Sequence, residues 1–260
     1  MLQNVLLTGA TGGIGYEFAQ IFAKDGYDIV LVGKDAEKLR KLQIQLEETY
    51  PEQKFWICEA DLSVVGIEKK IEEYLTTEEI KVDILVNNAG FGSFGEFVSS
   101  DWDKELAMMR VNMISVVALT KIVVGHMKER GEGKILNVAS TAAFFPGPLM
   151  SVYYATKNFV LNFSVGLSRE LKGTGVTVTA LCPGPTESGF QKTSGNEDSK
   201  LVKEKRLPSA AEVAKFGYQS MIKGRVVVVH GQKNRLQVFL GKILPLEMLA
   251  NIVYNSQREV

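Results

Sequence analysis

The chain has 260 residues, 45% of them hydrophobic and 23% charged, a balance that fits a globular protein and excludes a disordered or fibrous one. Its 30 basic and 30 acidic residues cancel, so nothing pulls it as a whole toward nucleic acid, and only a local basic patch can hold a phosphate. Two cysteines and two histidines, all well separated, assemble no four-ligand cluster at metal spacings, which argues against metal catalysis. The opening Met1-Leu2-Gln3-Asn4 enters an apolar run with no basic leader and no small-residue cleavage site, so a cytoplasmic protein is expected.

Short β-branched or aliphatic runs at 5–7, 29–32, 54–58, 84–86, 134–138, 176–181 and 225–229 read as strands buried on both faces. Helical patterns such as 36–49, with Leu39, Leu42 and Leu46 in phase, and 67–75 lie between them. The alternation predicts an α/β fold: one Rossmann-type doubly wound parallel sheet with helices on both faces, spanning 1–260 as a single domain.

Directly after the first run comes TGATGGIG, residues 8–15, leading into a helix expected from about Tyr16. Glycines at 9, 13 and 15 permit a tight turn, close approach of a pyrophosphate and close packing of helix on sheet. The second run ends at Gly33, where an acidic side chain would grip the ribose 2′-hydroxyl of NAD. Lys34 follows instead and favours a 2′-phosphate, so NADP(H) is preferred and NAD(H) is the lesser alternative; Asp35 reads as the N-cap of the next helix. Cys58 and Cys182, each ending an apolar run, read as buried free thiols.

Asp61, just past the third run, can accept from an adenine amino group, and Asn87-Asn88-Ala89-Gly90 closes the fourth. The patterns 106–127, which contains Asn112, and 152–171 are apolar around most of their circumference, so a second subunit is expected to cover their outer sides, with a longer loop or the C-terminal tail as the alternative. The fifth run leads to Ser140, thirteen residues before Tyr153 in Tyr153-Tyr154-Ala155-Thr156-Lys157. Either phenol lies near the lysine on one helix face, and spacing alone does not choose between them. After the sixth run and Pro183-Gly184-Pro185, residues 186–207 turn polar and carry Phe190; the stretch reads as a substrate lid, with a solvated surface loop as the alternative. The late stretch 236–253 is interrupted by Lys242, Pro245 and Glu247, so no membrane span is expected. A packing helix or partner surface is expected there, with peripheral membrane contact as the alternative.

TGATGGIG, DLS at 61–63, NNAG, Asn112, Ser140, YYATK and CPGPT at 182–186, in this order, resemble the short-chain dehydrogenase/reductase family over nearly the whole chain. Its nearest phrases resemble broadly annotated bacterial NADP-dependent reductases. The resemblance selects Tyr153 over Tyr154 as acid, and leaves Tyr154 for packing. It makes Lys157 the cation that acidifies Tyr153 and binds the nicotinamide ribose, Ser140 the group that orients the carbonyl oxygen, and Asn112 the holder of a relay water. By the same resemblance Gly9, Thr11, Gly13, Ile14, Gly15, Gly33, Lys34, Asp61, Leu62, Asn88, Ala89, Gly90, Pro183, Gly184 and Thr186, with Tyr153 and Lys157, form the coenzyme site.

The expected activity is hydride exchange between NADP(H) and a small-molecule carbonyl or alcohol, in a homodimer or homotetramer. Phe91, Phe94, Phe145 and Phe190 are candidate substrate contacts and favour an apolar compound. Two other readings compete. A sugar-nucleotide epimerase or dehydratase needs a larger C-terminal domain than the roughly 75 residues beyond Gly184 allow. A non-catalytic NADP(H)-binding sensor would more naturally lack the tyrosine or the lysine, and both are present.

Overall fold

The computed structural model describes residues 3–197, 199 and 207–258. Seven strands, β1 (Asn4–Thr8), β2 (Asp28–Gly33), β3 (Phe55–Glu59), β4 (Ile84–Asn87), β5 (Gly133–Val138), β6 (Val176–Cys182) and β7 (Val227–Val229), form one sheet in the order 3-2-1-4-5-6-7. Every pairing is parallel. The strand order reverses between β1 and β4, and a parallel sheet opens a ligand crevice at the carboxyl ends beside such a reversal.

Alternation along each strand explains the continuous apolar runs. Val5 and Leu7 of β1 pack with Phe18 and Phe22 on one face, while Leu6 between them packs with Ile71 and Leu119 on the other. Both faces are covered by helices, so neither can be polar. The first face carries α1 (Gly13–Lys24), α2 (Ala36–Thr49) and α8 (Ala210–Ile222). The second carries α3 (Ile67–Thr77) and α5 (Ser115–Arg130), which α4 (Trp102–Met109) precedes. Phe18 and Phe22 are wholly buried, each contributing about 1.5–3 kcal/mol relative to exposure.

Helix starts follow local chemistry. Asp35 accepts from the Lys38 N–H at 3.0 Å, the N-cap expected of it. Ser209 and Glu212 form a reciprocal capping box on α8. The helix begins at Gly13, three residues earlier than the sequence predicts, and Gly13 itself holds φ +50, a left-handed conformation that glycine takes without strain at the turn into the helix.

Helix α4 passes through a π-turn, Arg110–Ile114, into α5, giving one continuous helical stretch Trp102–Arg130. By length and composition it is apolar enough to cross a membrane, yet Leu119, Val123 and Met127 pack it onto the sheet as the crossover between β4 and β5. Helix α6 (Ser151–Glu170) carries Tyr153 and Lys157. Beyond β7 the alternation stops: α9 (Gln232–Gly241) and α10 (Leu246–Gln257) follow one another and meet at Pro245.

A buried polar network spans the middle of the sheet. Asn87 Nδ2 donates to Asn137 Oδ1 at 2.8 Å, and Asn137 Nδ2 donates to Ser164 Oγ at 2.9 Å. All three residues are at most 3% exposed, so no water replaces a lost partner. Asn137→Ala is expected to remove both of these buried hydrogen bonds, while Asn87 keeps Thr120 Oγ1 at 3.3 Å and Ser164 keeps the Val160 carbonyl at 2.6 Å, and so to destabilise the fold by about 1–3 kcal/mol, read as a shifted urea midpoint with unchanged slope. A loss below roughly 0.5 kcal/mol would show that the network adds little.

Candidate active site

A cleft of about 780 Å³ runs along the carboxyl ends of the strands, from β2 and β3 at one end to α6 and α10 at the other. Its floor at the first end is the glycine loop. Gly9 sits at φ +65 beneath Ala89, where a side chain would press on the Ala89 backbone. Thr11, Gly13 and Ile14 line the cleft with it. Gly15 stands behind the loop, its α-carbon facing the Gly9 carbonyl, so it shapes the cradle without lining it.

Asn88 braces this turn. Its side chain donates to the carbonyls of Thr8 (3.0 Å) and Gly9 (3.2 Å), while the Thr8 hydroxyl accepts from the N–H groups of Asn88 and Ala89. Gly33, Lys34, Asp61 and Leu62 line the same end. The Ser63 hydroxyl and N–H both donate to Asp61 Oδ1 and hold that carboxyl below the usual range. Gly90, Pro183, Gly184 and Thr186 line the middle, and Thr186 donates to the Gly184 carbonyl at 2.9 Å.

Ser140, Tyr153 and Lys157 meet at the far end. Ser140 caps the short 3-10 turn Thr141–Phe144: its Oγ accepts from the Ala142 N–H at 3.1 Å and donates to the Pro183 carbonyl at 3.4 Å. Tyr153 and Lys157 sit one turn apart on α6 and are both buried. Lys157 Nζ donates to the Val138 carbonyl at 2.9 Å and lies 5.9 Å from the centre of the Tyr153 ring.

Burial, more than any neighbouring charge, sets the state of the Tyr153 phenol. Burial pushes the phenol well above its usual range, and its hydrogen bond to Ser140 opposes that rise only in part. The same burial pushes Lys157 down to about 8. The lysine is anchored on the Val138 backbone carbonyl. At neutral pH the phenol is therefore protonated.

Asn112 does not line the cleft. It occupies the π-turn, where its Nδ2 donates to the Phe91 carbonyl and to Thr156 Oγ1, each at 3.0 Å, and its Oδ1 accepts from the Phe91 N–H at 3.2 Å. These three partners occupy the side chain that the resemblance assigns to a relay water, and they clamp the loop after β4 to α6. Lys157 Nζ and Asn112 Oδ1 lie on the same side of Gly90, close enough that a side chain there would touch both residues.

Of the four phenylalanines, Phe91 and Phe190 line the cleft, Phe190 with its ring centre 5.3 Å from that of Tyr153. Phe94 and Phe145 pack behind the wall; the Phe145 ring is held against Gly241 of α9. Phe190 opens the short helix α7 (Phe190–Ser194), the described part of the expected lid, whose Ser194 carbonyl accepts from the Phe94 N–H at 3.0 Å. The lid's base is closed where the Glu187 N–H donates to the Pro208 carbonyl at 2.9 Å. Residues 198 and 200–206 of that lid lie outside the described residues.

Tyr154 packs at 8% exposure, as expected, but it also accepts from Gln257 Nε2 at 2.9 Å. Gln257 lines the cleft from the end of α10, 103 residues away in sequence, and nothing in the sequence signals it. Lys38 beside Lys34 was likewise not anticipated, because its helix pattern marks it only as a solvated position. Cys58 and Cys182 are free and buried, which pushes their thiols up to about 11 and about 12. Among the described residues no group of His, Cys, Asp and Glu is placed to hold a metal ion.

A parallel sheet with a glycine cradle at its reversal point and a Ser, Tyr and Lys group across the cleft defines an oxidoreductase of the dinucleotide-binding type. Residues 3–199 match the short chain dehydrogenase family, and the chain belongs to it. It is 35% identical over 226 residues to a very-long-chain 3-oxoacyl-CoA reductase-A of Danio rerio, covering 84% of this chain and 68% of that protein. It is also 35% identical over 207 residues to 17-beta-hydroxysteroid dehydrogenase type 3 of Mus musculus, covering 78% of this chain and 67% of the other. Among solved structures, a short-chain dehydrogenase from Sphingobium yanoikuyae in complex with NADPH superimposes with a TM-score of 0.83 at 29% identity, over 93% of this chain and 94% of that one.

Proposed function

We propose that the protein is an NADPH-dependent reductase of bulky apolar ketones, with Tyr153 as the proton donor. The observation that carries this reading is the convergence of Ser140, Tyr153 and Lys157 on a cleft whose other end is the glycine loop. The residues present fit a dinucleotide. Side chains are missing where the loop must approach a pyrophosphate, and the N-terminus of α1 favours its negative charge. Asp61 and Leu62 would hold the adenine end, and Lys157 the nicotinamide ribose. When bound, the coenzyme supplies the hydride that the carbonyl carbon accepts.

The chain's own residues do the rest. Ser140 donates to the carbonyl oxygen and fixes its direction. Tyr153 gives that oxygen its phenolic proton, and the fully buried setting keeps the phenol protonated until an alkoxide, a stronger base than phenolate, develops beside it. Lys157 faces the phenolate left behind and supplies the compensating charge. The clamp at Asn112 holds the loop after β4 against α6 and so keeps Lys157 in register.

Phe91, Met150, Tyr154 and Phe190 give the substrate end an apolar wall. The relatives named for 3-oxoacyl-CoA reduction and for a hydroxysteroid support a bulky apolar substrate over a small polar one. NADPH consumption with short ketones, long-chain 3-oxoacyl thioesters and steroid ketones tests this, and rates are expected to rise with apolar bulk. Consumption of NADPH with none of them would favour the non-catalytic sensor. A homodimer or homotetramer belongs to the same proposal, supported by Phe159 and Val165 exposed on α6.

For the coenzyme, Lys34 and Lys38 line the end of the cleft past Gly33, and Lys38 is already tied to Asp35 at 3.0 Å. Lys34 is thus the cation to meet a 2′-phosphate. Lys34→Ala is expected to cut the preference for NADPH over NADH by roughly tenfold, through KM rather than kcat. Equal use of both coenzymes by the parent protein would defeat the NADPH assignment.

A further inference from the structure

The helices α9 and α10 have an inner face fully employed and an outer face with no partner in the fold. Inward, Gly241 receives the Phe145 ring, Leu249 is buried, and Gln257 bonds Tyr154. Outward, Leu236, Phe239, Leu240 and Ile243 fall at helical spacing on one stripe, with Phe239 62% and Ile243 68% exposed. The bend at Pro245 continues the stripe into Leu246, 73% exposed, and Ile252 lies farther along α10. Soluble monomers rarely leave so contiguous an apolar surface to water.

Charge decides between occupants. Residues 231–258 hold Lys233, Arg235, Lys242 and Arg258 against the single acidic Glu247, although the chain as a whole is neutral. Arg235 is engaged with the Val229 carbonyl and the Phe216 ring, and Arg258 lies over Tyr254. Lys233 and Lys242, both exposed, flank the apolar stripe with long side chains able to reach past it. A second copy meeting this face two-fold would set net positive charge against itself. An anionic lipid surface accepts both the apolar stripe and the lysines.

We propose that the α9–α10 segment seats the protein on an anionic lipid bilayer, with Ile243 and Leu246 at its bend among the acyl chains and Lys233 and Lys242 at the headgroups. The same two helices also back the substrate end of the cleft, α9 through the Phe145 ring against Gly241 and α10 through Gln257, so the seat adjoins the site. This inference stands on surface composition and does not rest on the proposed reaction.

Flotation of the full chain with vesicles of phosphatidylcholine, with and without phosphatidylglycerol, tests it. The protein is expected to float with the mixed vesicles and to bind the neutral ones more weakly. The Ile243→Ser, Leu246→Ser double variant, with an unchanged melting curve, is expected to lose at least about tenfold in bound fraction. Lys242→Glu is expected to lose roughly fivefold or more. Parent protein that stays with the soluble fraction overturns the proposal, as does a double variant that floats equally well. An assembly that forms without vesicles and falls apart in the double variant also overturns it, by making this face a contact between copies.

Discussion

Tyr153→Phe is expected to lower kcat by about 10²–10⁴-fold while NADPH still binds, because the change removes the donated proton and little else. The ring keeps its tilted contact with Phe190 and its edge contact with Tyr154, so the wall of the cleft is preserved. Tyr154→Phe is the necessary control, since it removes a hydroxyl from the same turn of α6. Its cost falls on the fold: Gln257 Nε2 loses its 2.9 Å acceptor in a buried position, about 1–3 kcal/mol, and turnover stays within a few-fold of the parent. Steady-state NADPH oxidation, coenzyme fluorescence titration and melting curves separate the two effects. A Tyr153→Phe protein at parental rate, or a Tyr154→Phe protein that folds and binds NADPH without turnover, would transfer the acid role to the other phenol.

How far the sequence announces this arrangement depends on whether a feature is local. Strands buried on both faces leave continuous apolar runs, so β1 through β7 are legible to within a few residues at each end. Ser140, Tyr153 and Lys157 are legible because a strand end and a single helical turn position them. Contacts between distant segments leave no such trace. Gln257 reaches Tyr154 only because α10 folds back over α6.

The phenylalanines show the same limit: Phe94 and Phe145 have the composition of a pocket wall, but tertiary packing turns them into its backing. The direction of the Tyr153 shift was equally hidden. Proximity of a lysine is visible in YxxxK, whereas the desolvation that raises the phenol arises from the packing of the whole cleft. The π-turn at Asn112 likewise coincides with a contact the sequence does not show, the side chain satisfying the Phe91 backbone across 21 residues.

The glycine loop supports a second large effect, because two of its glycines separate folding from binding. A Cβ on Gly15 would collide with the carbonyl oxygen of Gly9 and stand 2.5 Å from Asn88 Nδ2. The obstacles are a backbone atom and the side chain that braces it, so neither yields without moving the turn. Gly15→Ala is expected to destabilise the protein by ~1–3 kcal/mol and, by displacing the cradle, to weaken NADPH binding on the order of 10²-fold.

Gly12 is the opposite case. It holds φ −160 and ψ 159, an extended conformation open to any residue, and a Cβ there meets no protein atom within 4 Å. Gly12 nevertheless lines the cleft at the N-terminus of α1. Gly12→Ala should therefore melt as the parent does, within about 0.5 kcal/mol, and still bind NADPH more weakly, since the added methyl occupies space that the pyrophosphate takes. Calorimetric titration with NADPH reads both variants. Parental affinity in Gly12→Ala would place the phosphates elsewhere in the cleft, and parental stability in Gly15→Ala would show that the turn has more freedom than its packing against Gly9 and Asn88 implies.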